Sequence, residues 1–423
     1  MIEPPVRIEN RTQLVHLLSE ASELEHGISC CYLFAGFSMK NTAEEGVTNE
    51  QLESVRRWKR VVMEVAVQEM LHLALVNNLL TAIGAAPHIR RPNLPTSPTM
   101  YPRSFALELL PFSEDTLKNF IFLERPEGLL EDAPPDAELP RSRPGTGRAR
   151  DIFSDRPEYR TVGHLYRGIE DGFRYLTEKY GEGQLFVGPP GAQAAEYPRL
   201  PELVSVTDLA SAVQAIQRIV EQGEGARRDD ENAHYARFVR IQKEYEVLKR
   251  QDPAFEPGRP VMANPYTHIH GDLPDAQKVN LVEHPLSIAL CNLFDGIYEL
   301  LIQMLGRFFS RTEETEAELR LLAEMTTGIM ARVMSPLGDV ITTLPAGPSH
   351  PGLRAGPSFY LPRTVHTPPH KRAAWLSWRE RLAELSAYCA LLETYRGAPA
   401  TLARVGQTLG RYVTRMAEAG ISG

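Results

Sequence analysis

Two short strings carry residues that could hold a metal ion. Glu69-Met70-Leu71-His72 and Glu231-Asn232-Ala233-His234 each set a carboxylate and an imidazole three residues apart. On a helix such residues face the same side, with Cβ atoms about 5–6 Å apart. Each string could therefore offer one oxygen and one nitrogen donor to a divalent cation. Other acidic residues interrupt apolar stripes. Leu14, Leu18, Ala21, Glu25, Ile28 and Tyr32 follow one another at helical steps of three or four. Glu25 thus lies on an apolar face, where a lone carboxylate is costly. Glu69 does the same within Val62, Ala66, Leu73, Val76 and Leu80. A third stripe, Val162, Tyr166, Ile169, Phe173 and Leu176, has Glu170 at its edge. A fourth, Leu209, Val213, Ile216 and Val220, leads to Glu224, with Glu221 on its flank, and resumes after His234 through Phe238, Ile241, Tyr245 and Leu248. Two ligand sets stay open there: Glu224 with His234, or Glu231 with His234. Gly223 and Gly225 signal a helix end or kink, and we place Glu224 ahead of Glu231.

The order is Glu, then Glu-x-x-His, then Glu, then a carboxylate with a His. That is the ligand plan of di-iron carboxylate four-helix bundles of the ferritin-like type. Charge explains it. Four crowded carboxylates repel one another and bind protons, whereas two divalent cations neutralise them. Oxygen-rich donors with two imidazoles suit iron, or manganese, better than thiolate-seeking metals. Taken singly, each element has a plainer reading: a buried Glu is most often paired with an Arg, and Glu-x-x-His is common on solvated helix faces. Four elements in the right order carry the assignment. Tyr32 and Tyr166 lie on the same stripes as Glu25 and Glu170 and are candidates to bond to the ligands.

The elements that must position these groups are helices. Periodicity predicts them near 10–38, 50–83, 159–180, 205–224, 231–250, 283–310, 313–343, 371–394 and 397–418. One short strand is expected over 104–110. Pro- and Gly-rich stretches over 84–158, 183–201 and 344–369 read as loops, and loops of that length often cover a site. The segment 251–282 reads as a linker. The expected fold is all-α: a four-helix bundle over 1–250 with long crossover loops, and an additional C-terminal helical region over 283–423 packed on it.

Composition narrows the function classes. The 423 residues hold 46 Lys+Arg against 54 Asp+Glu, a net charge of −8. Without a basic stripe, nucleic-acid binding is not expected. The four cysteines form no CxxC, so neither a disulfide framework nor a thiolate zinc site is expected. Charges interrupt the apolar runs 61–80 and 288–309, so no membrane span is expected. The reading is a soluble, cytoplasmic protein. His268 and His270 lie in a Pro- and Gly-flanked loop and read as surface residues.

The strings LEHGISCCYLFAGFS, EVAVQEMLHLALVNNLLTAIGAAP, HLYRGIEDGF, IVEQGEGA followed by AHYARF, and LPAGPSHPGLRAGPSFYLP with Trp375 and ERL at 380–382 resemble one family. It is the bacterial ferritin-like group that shares a domain with the iminophenyl-pyruvate dimer synthases of violacein- and rebeccamycin-type pathways. The resemblance covers most of the chain. It implies a ferritin-like fold with a metal site, often in natural-product biosynthesis, and ligand positions at Glu25, Glu69, His72, Glu170, Glu224 and His234. The synthases are much longer chains, and their oxidative imine dimerisation is not carried over. The expected protein is a non-haem, di-iron carboxylate oxidase or oxygenase with O₂ as cosubstrate and a small-molecule substrate. A homodimer is expected. The alternatives are an iron-storage protein and a structural helical protein.

Overall fold

The computed structural model of the chain describes residues 6–97, 100–101, 106–126, 159–194, 200–223, 230–268, 278–310, 313–363 and 366–421. Its order is α1 (Arg11–Ser38), α2 (Asn49–Ala82), α3 (Glu114–Leu123), α4 (Val162–Tyr180), the single turn α5 (Glu182–Leu185), α6 (Leu209–Gly223) and α7 (His234–Gln251). Then come β1 (Pro265–Tyr266), β2 (Asn280–Leu281), α8 (Pro285–Arg307), α9 (Glu316–Ile329), α10 (Ser335–Ile341), α11 (Lys371–Glu393) and α12 (Thr401–Glu418). The two tiny strands pair in parallel.

Local chemistry explains the helix starts. The side chains of Asn10, Thr48, Ser113, Thr161 and Thr315 each accept from a backbone N–H in the first turn that follows. Thr48 with Gln51 and Thr315 with Glu318 close reciprocal capping boxes. Gly46, at φ 83°, turns the chain between α1 and α2 in a backbone region that suits glycine.

α1 pairs with α2, and α4 with α6 lies against both. α3 lies along α7, beside α2. Two glycines let α4 accept the N-terminal segment: a Cβ on Gly168 would come within 2.4 Å of Val6 Cβ, and one on Gly172 within 2.6 Å of Ile8 Cδ1. The buried Asn78 ties α2 to Ala194 and Val204. Its amide donates to the carbonyls of Ala194 and Val204, and its oxygen accepts from the Ala194 N–H.

The C-terminal helices share the bundle's core. Phe37 of α1 packs against Phe294 of α8 and stacks on Phe359. His26 Nδ1 donates to the Ile89 carbonyl at 2.6 Å, which leaves Nε2 to accept from the Tyr298 hydroxyl at 2.6 Å. α8 is the one described helix long and apolar enough to cross a bilayer. Two-thirds of that stretch is buried inside the protein, where it forms the centre of the C-terminal region.

Three expectations need correction. The helix expected over 313–343 is interrupted by a π-helical turn at Met330–Met334. Pro336 lacks an N–H and would clash with the Arg332 carbonyl in a continuous α-helix, and the wider turn relieves this. The strand expected over 104–110 is not one in its described part, 106–110. That segment is tied instead by Thr96 and Asn264, whose side chains and backbones bond to Leu107 and Leu109. The loop expected over 84–158 contains α3, a helix of ten residues.

Candidate metal centre

Five buried side chains converge between the helices. Glu25, Glu69 and His72 form one group of three donors and Glu69, Glu124 and His234 a second, each with its donor atoms within 4.8 Å of one another. Glu69 belongs to both. Its Oε2 lies 2.9 Å from His72 Nδ1 and its Oε1 lies 2.8 Å from His234 Nδ1. Glu25 Oε2 lies 3.5 Å from His72 Nδ1, and Glu124 Oε2 lies 3.5 Å from His234 Nδ1.

The two halves are built alike. The Tyr166 hydroxyl donates to Glu25 Oε1, and the Tyr32 hydroxyl donates to Glu124 Oε1. His72 Nε2–H donates to Gln222 Oε1 at 3.0 Å, and His234 Nε2–H donates to Gln68 Oε1 at 3.2 Å. Each imidazole therefore turns Nδ1 toward the carboxylates while its other nitrogen is held by an amide oxygen. This is how outer hydrogen bonds orient a metal-binding histidine. The rings lie 27° from parallel, 5.5 Å apart. A cavity of about 20 Å³ adjoins the first half, lined by Ile28, Leu123, Val162, Ile219 and Val220 besides the polar groups. It has room for about one water-sized species.

In the metal-free chain the buried carboxyls and imidazoles shift one another's proton affinity. Burial pushes the Glu25 carboxyl up to about 8; His72 pulls it down and the Glu69 charge adds to the rise. Burial would raise Glu69 too, but the two flanking imidazoles outweigh it and hold this carboxyl well below the usual range. Burial would lower His234, yet Glu69 and Glu124 bring it up to about 9. His72 is likewise raised, by Glu69 and Glu25 against burial.

The donor set fits two divalent ions. Among the described residues it comprises three carboxylates and two imidazoles, a combination suited to iron or manganese. His234 Nδ1 is fully buried, 2.8 Å from Glu69 Oε1 and 3.5 Å from Glu124 Oε2, and is left without a hydrogen bond in the protein. A buried polar atom in that state calls for an explanation, and a cation among these donors supplies it.

Of the residues singled out in the sequence, the structure brings Glu25, Glu69, His72 and His234 together, with Tyr32 and Tyr166 against the carboxylates. It does not bring Glu170 there. Glu170 Oε1 accepts from Arg174 Nη2 at 2.6 Å, one turn along the helix, and Tyr166 occupies the inward position instead. Glu221 is exposed. Glu231 is exposed too and faces Arg240 at 3.7 Å. Glu224 lies outside the described residues. Among the described residues, the carboxylate that joins Glu69 beside His234 is Glu124, which closes α3 as its C-cap. A signal for it existed: Leu117, Phe120, Ile121 and Glu124 step by three, one and three, the same intrusion of acid into an apolar stripe seen at Glu25.

On the outer side of Gln68 is an open groove of about 480 Å³ lined by Arg60, Met63, Glu64, Val67, Gln68 and Arg237.

Known proteins resemble this chain along its length. It is 30% identical to the dichlorochromopyrrolate synthase of Lentzea aerocolonigenes, over 91% of this chain and 40% of that protein. It is 29% identical to the 2-imino-3-(indol-3-yl)propanoate dimerase of Chromobacterium violaceum, over 86% of this chain and 35% of that protein. The chain thus spans well under half the length of these relatives. A ferritin-like protein of known crystal structure from Caulobacter vibrioides superimposes with a TM-score of 0.47 at 20% identity, covering 80% of this chain and 99% of that one. A family profile matches residues 18–243, more than half the chain and all five converging donors, and by that match the chain belongs to the ferritin-like family.

Proposed function

We propose that this protein is a di-iron carboxylate oxidoreductase that acts on a small molecule in natural-product biosynthesis. One observation carries the reading: two groups of three buried donors share a single carboxylate, Glu69. Glu25, Glu69 and His72 would hold one ion, and Glu69, Glu124 and His234 the other. Bound iron would supply the redox equivalents and the affinity for O₂. The kinship to two biosynthetic enzymes supports the setting.

The chain's own residues do the rest. Tyr166 and Tyr32 each fix one carboxylate oxygen of a ligand by donating an O–H, so that Glu25 and Glu124 keep their orientation. Glu25, raised to about 8, keeps its proton in the metal-free chain near pH 7 and releases it when a cation arrives. The apolar lining of Ile28, Leu123, Val162, Ile219 and Val220 keeps bulk water from the first half. The cavity there takes a water-sized molecule. An organic substrate exceeds it and must approach from outside the cluster.

The test is reconstitution with Fe²⁺ under argon, followed by admission of O₂. The reading requires about two irons per chain and O₂ consumption, both lost in Glu69→Ala while the helical circular dichroism signal persists. Normal turnover by Glu69→Ala overturns it. Iron loading far above two per chain would instead mark a storage protein.

A further inference from the structure

We infer that Arg237 and Glu202, acting through Gln68 and Gln222, make the two metal half-sites unequal, so that the Glu25–His72 half binds its ion first and more tightly. The inference rests on the metal centre proposed above.

The two outer glutamines are engaged in opposite senses. The Gln222 amide NH₂ donates to Glu202 Oε2 at 2.9 Å, while its Oε1 accepts from His72 Nε2–H at 3.0 Å. The Gln68 oxygen is shared: Arg237 Nη1 donates to it at 2.8 Å and His234 Nε2–H at 3.2 Å. These partners also fix which end of each amide is oxygen, because a carboxylate only accepts and a guanidinium only donates.

Hydrogen bonds in a chain polarise one another. A carboxylate pulling on the Gln222 NH₂ enriches its oxygen, which then draws harder on His72 Nε2–H and makes Nδ1 a better donor to a metal. A guanidinium on the Gln68 oxygen does the reverse. It takes up acceptor capacity that His234 would otherwise use, and the longer His234 contact agrees with that. Net charge alone is not the cause. Arg237 also pairs with Glu64 at 2.6 Å, and Glu202 with Arg218 at 3.1 Å. Both end charges are partly balanced, and the difference that persists is which atom of the amide is engaged. The position of Glu202 is held at a cost. Its φ is +70°, a left-handed conformation that side chains other than glycine and asparagine rarely adopt.

Outer partners of a ligating histidine typically change metal affinity by about 10- to 100-fold. Calorimetric titration of the metal-free full chain with Mn²⁺ alone should therefore resolve two steps whose Kd values differ by about tenfold or more. Arg237→Leu frees the Gln68 oxygen for His234 and should tighten the weaker step alone. Glu202→Leu should weaken the tighter step alone. Either change narrows the gap, and Arg237→Lys, which keeps a donor, should restore it. Melting temperature is recorded beside each titration. A merely structural role would lower it or shift both steps together. Equal steps in the wild type, or variants that move both steps equally, overturn the inference and leave the metal centre standing. No binding of Mn²⁺ by the wild type overturns both. Should Arg237→Leu not fold, Glu202→Leu alone decides.

Discussion

Replacing Tyr166 by Phe removes one oxygen and leaves a fully buried ring in place. The lost group is the O–H that donates to Glu25 Oε1. In the metal-free chain at pH 7 this acceptor is mostly a neutral carboxyl, since Glu25 sits at about 8. A neutral hydrogen bond contributes about 0.5–1.5 kcal/mol. With a cation bound, Glu25 is a carboxylate, and a hydrogen bond to a charged group contributes about 1.5–3 kcal/mol. The loss therefore falls more heavily on the loaded state, by about 1–1.5 kcal/mol. That difference corresponds to roughly five- to tenfold weaker binding, at 1.4 kcal/mol per factor of ten. Mn²⁺ titration calorimetry at pH 7 measures the affinity, and thermal melting without metal measures the common part. Unchanged affinity with a lowered melting temperature would refute the argument, for Tyr166 would then be only a packing group. Complete loss of one ion would refute it in the other direction.

Glu124→Gln should reduce the bound metal from two ions to one per chain. Glu170→Gln should keep two and shift stability by no more than about 0.5 kcal/mol, as expected for a partly exposed ion pair; metal analysis and melting curves check both. Burial pushes the Asp295 carboxyl up to about 7, although Ser358 and the Tyr360 N–H favour its charged form. Because the folded value lies above the unfolded one, its contribution to stability is full below about pH 4 and is lost as pH rises toward 7. Asp295→Asn should remove that decline, of which at most about 3 kcal/mol falls between pH 5 and pH 8, and denaturant unfolding of wild type and variant at those two pH values measures it. Gly168→Ala should destabilise by about 1–3 kcal/mol through the clash of the new Cβ with Val6, read as a lower melting temperature with metal binding retained.

The bundle was legible because its signals are periodic. The spacing of Leu14 to Tyr32 marks most of α1 and that of Val62 to Leu80 the second half of α2, and the Glu69–His72 step located two of the five donors. What escaped depends on contacts distant in sequence. Glu170 has the right residue type on the right helix, yet Arg174 at the next turn claims it, and a stripe's edge does not say which flank turns inward. Glu124 was hidden by its setting: prolines nearby made the segment read as loop, although its own spacing was helical. The sequence pattern breaks between α6 and α7, which leaves Glu224 and Glu231 as the readings for a carboxylate beside His234; among the described residues Glu231 is exposed and Glu124, at the end of α3, lies there. Gln68 and Gln222 gave no sequence signal, since a polar residue on a half-exposed helix face is ordinary. Only their contacts with His234 and His72 distinguish them.

Glu69 would serve both ions. Anomalous diffraction from crystals grown with Mn²⁺ tests this most directly. Two peaks per chain are expected, one among Glu25, Glu69 and His72 and the other among Glu69, Glu124 and His234. A single peak away from Glu69, or none at full Mn²⁺ loading, would contradict this.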